Sequence, residues 1–411
     1  MKIVILSDDF PPLINGGAAA AAGTMATQLK SLGCDVSVIT TCRQLDQAGS
    51  VVTVSGIMVY SICSNYHERW RAWLSLYNPQ TVFKVKQLLK DLNPDIVHAH
   101  NIHYHLSYYC LVLAKKFDAK VFLSAHDVMI FHYGKLKSSQ INTPISWWDQ
   151  FLVYRLRFNP WRNLFIRYCL RSVDKIFAVS PMLKKVLQLN NISRPIDVVA
   201  NGIDLQEWSI ESTLSRKMLD QFDLVDKDII LFVGQPTVAK GIKQLLSAFK
   251  EISSYQPQAR LLVVGRSSKI TEKLIIDLGL GLIRDRIVIL DWIDRDLLPV
   301  IYHLARIIVM PSICFDTFGL VAAEALACGR PVVVSCFAGI SDLVERTGAG
   351  SVVNPLKKTE LVKAILNFLI NKNEAERIGQ LGQSVVEKYL SVNQTTALVL
   401  AEYKRVISFQ I

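Results

Sequence analysis

Residues 229–254 read IILFVGQPTVAKGIKQLLSAFKEISS. Ile229–Val233 is an apolar run of strand length, and it stops at Gly234-Gln235-Pro236, residue types that favour a turn. Lys240-Gly241 then opens Ile242–Ser254, whose apolar positions fall at helical spacing. A strand that feeds a helix through a glycine loop aims free backbone N–H groups and one ammonium group at a common point, which makes an anion site. The spacing is not that of a P-loop, because the lysine precedes its glycine and no Ser or Thr follows to hold magnesium. Taken alone, the pattern also fits an ordinary lysine at the end of a surface loop.

The same grammar runs outward in both directions. Downstream come strands Leu261–Val264, Ile287–Leu290, Ile307–Met310 and Pro331–Ser335, with a helix at Leu320–Cys328. Upstream come strands Met1–Leu6, Val36–Thr40, Ile96–His100, Val121–Ser124 and Lys175–Val179, with helices at about Ala18–Leu32, Gln80–Leu92 and Tyr104–Phe117. Alternation of this kind predicts parallel sheets covered by helices on both faces. Two such series predict an α/β chain of two Rossmann-like domains with a deep cleft between them. The mostly polar stretch Asn201–Lys227 separates the series, giving domains at 1–204 and 205–393 and a last helix, 394–411, that returns to the first. Ligands of open α/β sheets bind at the carboxyl ends of the strands. The loops of interest therefore hold Gly16-Gly17, His98 and His100, His126-Asp127, Gly234–Gly241, Gly265-Arg266 and Ser312–Gly319.

A chain of 411 residues that is 51% hydrophobic and 20% charged has the apolar surface to fill two cores, which excludes a disordered or collagen-like protein. Its net charge of +11 is concentrated in the first half. Within 130–171 the basic residues Lys135, Lys137, Arg155, Arg157, Arg162, Arg167 and Arg171 face one acid, Asp149, and alternate with aromatics that include Trp147, Trp148 and Trp161. That mixture suits an anionic membrane surface or an acceptor carried on one. It equally suits core aromatics with a solvated basic rim. No nucleic-acid-binding motif accompanies it, so nucleic acid is not an expected partner. The apolar start ends at Ser7-Asp8-Asp9, too early for a secretory signal, and the eight cysteines form no C-x-x-C pair. Buried free thiols in the cytoplasm, at most peripheral to the membrane, are expected.

Asp316 and Glu324 are the other candidates. Glu324 lies in the apolar run Val-Ala-Ala-Glu-Ala-Leu-Ala, where a carboxylate needs a partner. Eight residues at helical rise would separate the two carboxylates by about 12 Å, enough to grip both ends of an elongated polyol.

In order along the chain, Gly16-Gly17, Pro94-Asp95-Ile96-Val97-His98-Ala99-His100, Ser124-Ala125-His126-Asp127, Asn201-Gly202-Ile203-Asp204, Gly234 with Lys240-Gly241, and Pro311-Ser312 through Asp316, Phe318-Gly319 and Glu324 resemble the retaining GT-B glycosyltransferases of family 4. The resemblance implies transfer of a sugar from a nucleotide diphosphate sugar bound by the second domain to a glycolipid or glycan acceptor bound by the first. It implies Lys240, with the backbone of Phe318-Gly319-Leu320, on the diphosphate, Glu324 on the ribose, Asp316 on the donor sugar, Gly17 beside the phosphate and His126 near the reactive carbon. Asp127 is a carboxylate in the same neighbourhood, with no nucleophilic role assigned.

Two residues depart from the family pattern. Gln235 stands where arginine is usual, and Asp316 where the first glutamate of E-x7-E is usual. A guanidinium is thereby lost from the diphosphate, and Arg266 after Gly265 is a candidate substitute. The departures point to an altered donor preference, with a catalytically silent sugar-binding scaffold as the alternative. His98, His100, His103 and His105 invite a metal reading, but no cysteine or carboxylate cluster joins them, so no metal and no cofactor are expected.

Overall fold

The computed structural model describes residues 1–12, 16–49, 51–208, 224–266, 268–291 and 293–408. The chain divides into two compact units, Met1–Gly202 with Val392–Ile411, and Ile203–Ser391. Of the expected boundary stretch, residues 209–223 lie outside the described residues.

The first unit holds an eight-stranded sheet of β1 (Lys2–Leu6), β2 (Asp35–Cys42), β3 (Val51–Val54), β4 (Ile57–Cys63), β5 (Ile96–Ala99), β6 (Lys120–Ala125), β7 (Lys175–Ala178) and β8 (Ile196–Val198), in the order β3-β4-β2-β1-β5-β6-β7-β8. All neighbours are parallel except β3 and β4. The central strands are apolar on both faces because helices cover both. The order reverses between β1 and β5, so a crevice opens at their carboxyl ends. The helix Gly17–Ser31 buries Ala19 to Ala22, and the last helix, Val392–Ser408, packs against it. Tyr403 of that last helix is fully buried among Phe122, Phe177 and β1 side chains.

The sequence reading misses β3, β4 and β8. β3 and β4 form an edge hairpin whose Ser55-Gly56 turn has φ of 50° and 76°, a left-handed pair suited to a two-residue hairpin loop. The helix expected over 104–117 spans only Tyr109–Lys116. The amides of Tyr104, His105 and Leu106 donate to the Asp8 carboxylate instead of starting a helix.

The segment 130–171 is not one long amphipathic surface. Ser146 caps a helix Trp147–Tyr154, the chain turns at Arg155 with φ 42°, and a second helix runs over Arg162–Leu170. Trp147, Trp148, Trp161, Arg155 and Arg157 are exposed, whereas Arg162 is buried and so is not part of the outer face expected of it. Its guanidinium donates to the Met129 carbonyl and lies 4.6 Å over the Tyr133 ring.

The second unit holds a six-stranded parallel sheet of β9 (Asp228–Val233), β10 (Ala259–Val264), β11 (Ile287–Leu290), β12 (Ile307–Met310), β13 (Val332–Ser335) and β14 (Gly350–Val353), in the order β11-β10-β9-β12-β13-β14. Ile242–Tyr255 and Lys358–Ile370 bury Leu245, Phe249, Leu361 and Phe368 in the core with β-strand side chains. The order reverses between β9 and β12, whose carboxyl ends carry Gly234–Gly241 and Pro311–Gly319. Neither β14 nor the helices Ser341–Thr347, Lys358–Ile370 and Lys372–Tyr389 belong to the sequence reading.

All eight cysteines are free thiols, five of them buried. No helix among the described residues is long and apolar enough to cross a membrane.

Candidate active site

In the second unit the two loops meet because β9 and β12 are neighbours. Gly241 has φ 76° and lies against the loop after β12, where an added Cβ would stand 1.8 Å from the Pro311 carbonyl oxygen. Only glycine lets the lysine turn Val238–Lys240 approach that loop. Ile313 N–H donates to the Ala239 carbonyl at 3.0 Å and ties them together. The helices Ile242–Tyr255 and Leu320–Ala327 start from Gly241 and Gly319, both left-handed, and neither has a side-chain cap. Two uncapped helix N-termini at adjacent strand ends concentrate positive potential there.

Lys240 Nζ donates to Asp316 Oδ2 at 2.5 Å. Asp316 is fixed through its backbone, with its N–H on the Phe337 carbonyl and its own carbonyl accepting from Gly339. It stands outside the helix, which begins at Leu320, so the 12 Å expected from helical rise does not describe its separation from Glu324. Phe318 is buried, and the hydroxyls of Thr237 and Ser312, one on each loop, are buried without a hydrogen-bond partner.

Glu324 projects from a helix otherwise made of alanine, leucine and valine and is buried. Tyr302 Oη donates to its Oε2 at 2.8 Å, and Arg295 Nη1 lies 3.8 Å from its Oε1. Burial pushes its carboxyl up to about 7, with Arg295 and the Tyr302 hydrogen bond opposing the rise. Tyr302 and Arg295 are partners that the sequence reading does not identify. Gln235 is exposed. Val264 pairs with Val233, so Gly265-Arg266 leaves the sheet beside Gly234-Gln235.

In the first unit, the carboxyl ends of β1, β5 and β6 carry a chain of polar side chains. His98 bonds Ser124 Oγ at 2.9 Å and Tyr403 Oη at 2.5 Å. His100 Nδ1 lies 2.8 Å from His126 Nε2, and Asn201 hydrogen-bonds His126. His103 faces Asp127 at 3.4 Å, and Asp127 accepts from the Met129 amide at 2.8 Å. Burial lowers His103 and His126 to about 4, His98 to about 3 and His100 well below its ordinary value, so all four rings are neutral at pH 7. Each hydrogen-bonded ring can then donate through one nitrogen and accept through the other. His126 and Asp127 are the half-buried members of the group and can be reached from outside.

Of the four clustered histidines, His98 is a core residue and His105 bonds Ser64 Oγ at 2.9 Å. Gly16 and Gly17 start the helix Gly17–Ser31, again without a side-chain cap. The sequence reading passes over Asp8, at the carboxyl end of β1, although an acid closing an apolar strand was a usable signal. Its Oδ2 accepts from Tyr104 N–H at 2.7 Å, and its Oδ1 from His105 and Leu106 N–H at 2.9 and 2.7 Å.

Comparison with known proteins agrees with this architecture. Residues 15–207 match the family described as Glycosyltransferase Family 4, and residues 217–385 match Glycosyl transferases group 1. An uncharacterized glycosyltransferase of Methanocaldococcus jannaschii is 26% identical over 95% of this chain and 94% of its own. The sucrose-phosphate synthase of Thermosynechococcus elongatus superposes with a TM-score of 0.79 at 20% identity, covering 99% of both chains. Anabaena HepE in complex with UDP-glucose superposes with a TM-score of 0.71 at 19% identity, covering 98% of this chain and 100% of its own. With one glycosyltransferase family matched on the first sheet and its companion on the second, this chain belongs to the GT-B glycosyltransferases of family 4 and is a transferase of the EC 2.4 class.

Proposed function

We propose that this enzyme moves a sugar, with retention of anomeric configuration, from a nucleoside diphosphate sugar to a lipid-linked or polysaccharide acceptor at the cytoplasmic face of a membrane. The observation that carries the donor half is the pair of uncapped helix N-termini with Lys240 at the β9/β12 reversal. Three positive elements at one point suit a diphosphate. The UDP-glucose bound by Anabaena HepE supports a donor of that class.

In this reading the diphosphate draws Lys240 away from Asp316, which then turns to the hydroxyls of the sugar. Glu324 takes the ribose, and Arg266 supplies the charge that Gln235 lacks. As the bond from the anomeric carbon to the phosphate oxygen breaks, negative charge grows on the phosphate, and Lys240 and the helix termini stabilise it. The acceptor oxygen bonds the carbon from the same face, and its proton passes to the departing phosphate. That step needs no nucleophile from the protein and no metal. In the same reading His126, neutral and half-buried, hydrogen-bonds the sugar, and Asp127 orients His103. Retention rests on the family resemblance alone.

The test is a thermal-shift screen of wild type and Glu324→Gln against UDP-, GDP-, ADP- and dTDP-sugars. A donor at 100 times its dissociation constant adds about 2.7 kcal/mol to stability. One nucleotide class should stabilise wild type and not the variant. Stabilisation by none of the four would favour the silent scaffold.

Donor affinity should also follow pH. Ribose hydroxyls donate to the ionised form of Glu324, whose carboxyl titrates at about 7, so acid weakens binding. The apparent dissociation constant should be about tenfold larger at pH 6 than at pH 8. The same shift lies above the ordinary value, so the folded state holds the proton more tightly than the unfolded chain. Its contribution to fold stability therefore falls between about pH 4.5 and 7, opposite in sign to the binding trend. Calorimetric titrations at both pH values check the first, and a flat dissociation constant would remove Glu324 from the donor site.

A further inference from the structure

A cavity of about 230 Å³ opens in the first unit between the segment after β4 and the two helices that follow β6. Four guanidinium groups, of Arg69, Arg71, Arg157 and Arg162, share its lining with a single acid, Glu68. Among the described residues none of the four has a carboxylate within 4.0 Å. Arg162 is the decisive one: it is 3% exposed, and its donors meet only the neutral Met129 carbonyl and the Asn163 side-chain oxygen. Asp127 acts on it only at longer range. A buried cation held by neutral acceptors alone gains most from an anion that reaches it. Ser75, also in the lining, is 1% exposed, and its hydroxyl has no hydrogen-bond partner. This is an unfilled polar position in a positively charged hollow.

The surroundings are apolar and exposed. Trp70 and Trp73 flank the lining residues Arg71 and Ala72, each 51% exposed, and Trp161 adjoins Arg162 at 64%. Tyr133 and Tyr154 of the wall stack at 5.0 Å, and through Phe158 they join the exposed Trp147. A cluster of tryptophans this exposed is uncommon on a surface that meets only water. Tryptophan and arginine together suit the level of lipid headgroups.

We propose that this cavity receives the phosphorylated head of an amphiphilic lipid acceptor, its arginines and Ser75 holding the phosphate while the surrounding tryptophans enter the lipid. The inference rests on the transferase reading only for the word acceptor; the anion and the lipid are read from the cavity and its rim. Arg71 also lies 3.9 Å over the ring of Tyr104, next to His103, so the phosphate would be held beside the His126 and Asp127 group.

The experiment is flotation of the full-length protein with phosphatidylcholine vesicles, with and without phosphatidic acid. Wild type should float with the phosphatidic acid vesicles and far less with phosphatidylcholine alone. Arg71→Gln and Arg157→Gln should each weaken binding by about tenfold or more, the loss of a charge-assisted hydrogen bond. Lys116→Gln removes the same charge from the end of the helix Tyr109–Lys116, at the amino edge of the sheet, and should change binding by less than about twofold. Equal losses for all three variants would reduce the effect to general surface charge and overturn the cavity. Soluble glycerol 3-phosphate that raises the melting temperature as much as the vesicles do would overturn the lipid. Nucleotide-sugar stabilisation should be the same in Arg71→Gln as in wild type. If no nucleotide sugar stabilises either, the donor reading fails while the flotation result stands by itself.

Discussion

Lys240→Ala should lower kcat/KM by about 10²–10³-fold while moving the melting temperature by no more than about 3 °C, because removing one preorganised donor to a developing oxyanion is worth that much and a half-exposed ion pair is worth about 1 kcal/mol or less to the fold. The lysine and Asp316 keep 33% and 15% of their side-chain surface, so each is partly solvated before any ligand arrives. The two helix N-termini remain in the variant, and a residual rate well above the uncatalysed one should persist. Steady-state kinetics beside a thermal melt reads both numbers. A variant that loses stability but keeps its rate would make the lysine a structural residue of the Pro311–Gly319 loop.

Asp8→Ala should act in the opposite way, through the fold. Three backbone amides, the part-buried one of Tyr104 and the buried ones of His105 and Leu106, lose their acceptor together. At about 1 kcal/mol or more for each orphaned donor the cost is at least about 3 kcal/mol, or a melting temperature lower by about 6–12 °C. The segment they hold leads from β5 to the helix Tyr109–Lys116 and carries His103, so the polar group around His126 should loosen as well. Burial raises the Asp8 carboxyl to about 7 in spite of its three backbone hydrogen bonds. Because that is above the unfolded value, its contribution to stability falls between about pH 4 and 7, and the variant should lack this slope. Melting temperatures of both proteins across that range decide it, and an Asp8→Ala protein as stable as wild type would show the amides finding other acceptors.

These two residues also mark what could be read from the amino-acid order. The place of Lys240 was legible because it is local: a strand, a glycine and a helix start within a dozen residues put it in the loop after β9. Asp8 was not, since its partners lie almost a hundred positions away and only the sheet order brings β1 beside β5. The parallel core strands announced themselves as apolar runs. The edge hairpin β3–β4 did not, for only three of its eleven strand positions are buried, although Ser55-Gly56 was a usable turn signal. Spacing was not enough at two places. Half of the interval from Asp316 to Glu324 is loop, so helical rise does not measure it, and the basic aromatic stretch 130–171, which suits an outer face and a core with a basic rim equally, holds both: the chain turns at Arg155, and Arg162 is buried while Trp147, Trp148 and Trp161 are exposed. Sequence assigns the residue types of a pocket well, and its inside and outside poorly.

The buried, neutral histidines have one more consequence. Of the eight, His98, His100, His103, His105, His126, His132 and His303 all titrate below their ordinary value. Mild acid therefore adds little positive charge through these rings, and the protons the native molecule takes up near neutrality go to the Asp8 and Glu324 carboxyls instead. The unfolded chain does protonate its histidines below about pH 6.5, so the rings favour unfolding in acid, while the two raised carboxyls favour the fold there. For this protein acidity is thus a contest between buried rings that resist a proton and buried carboxyls that hold one.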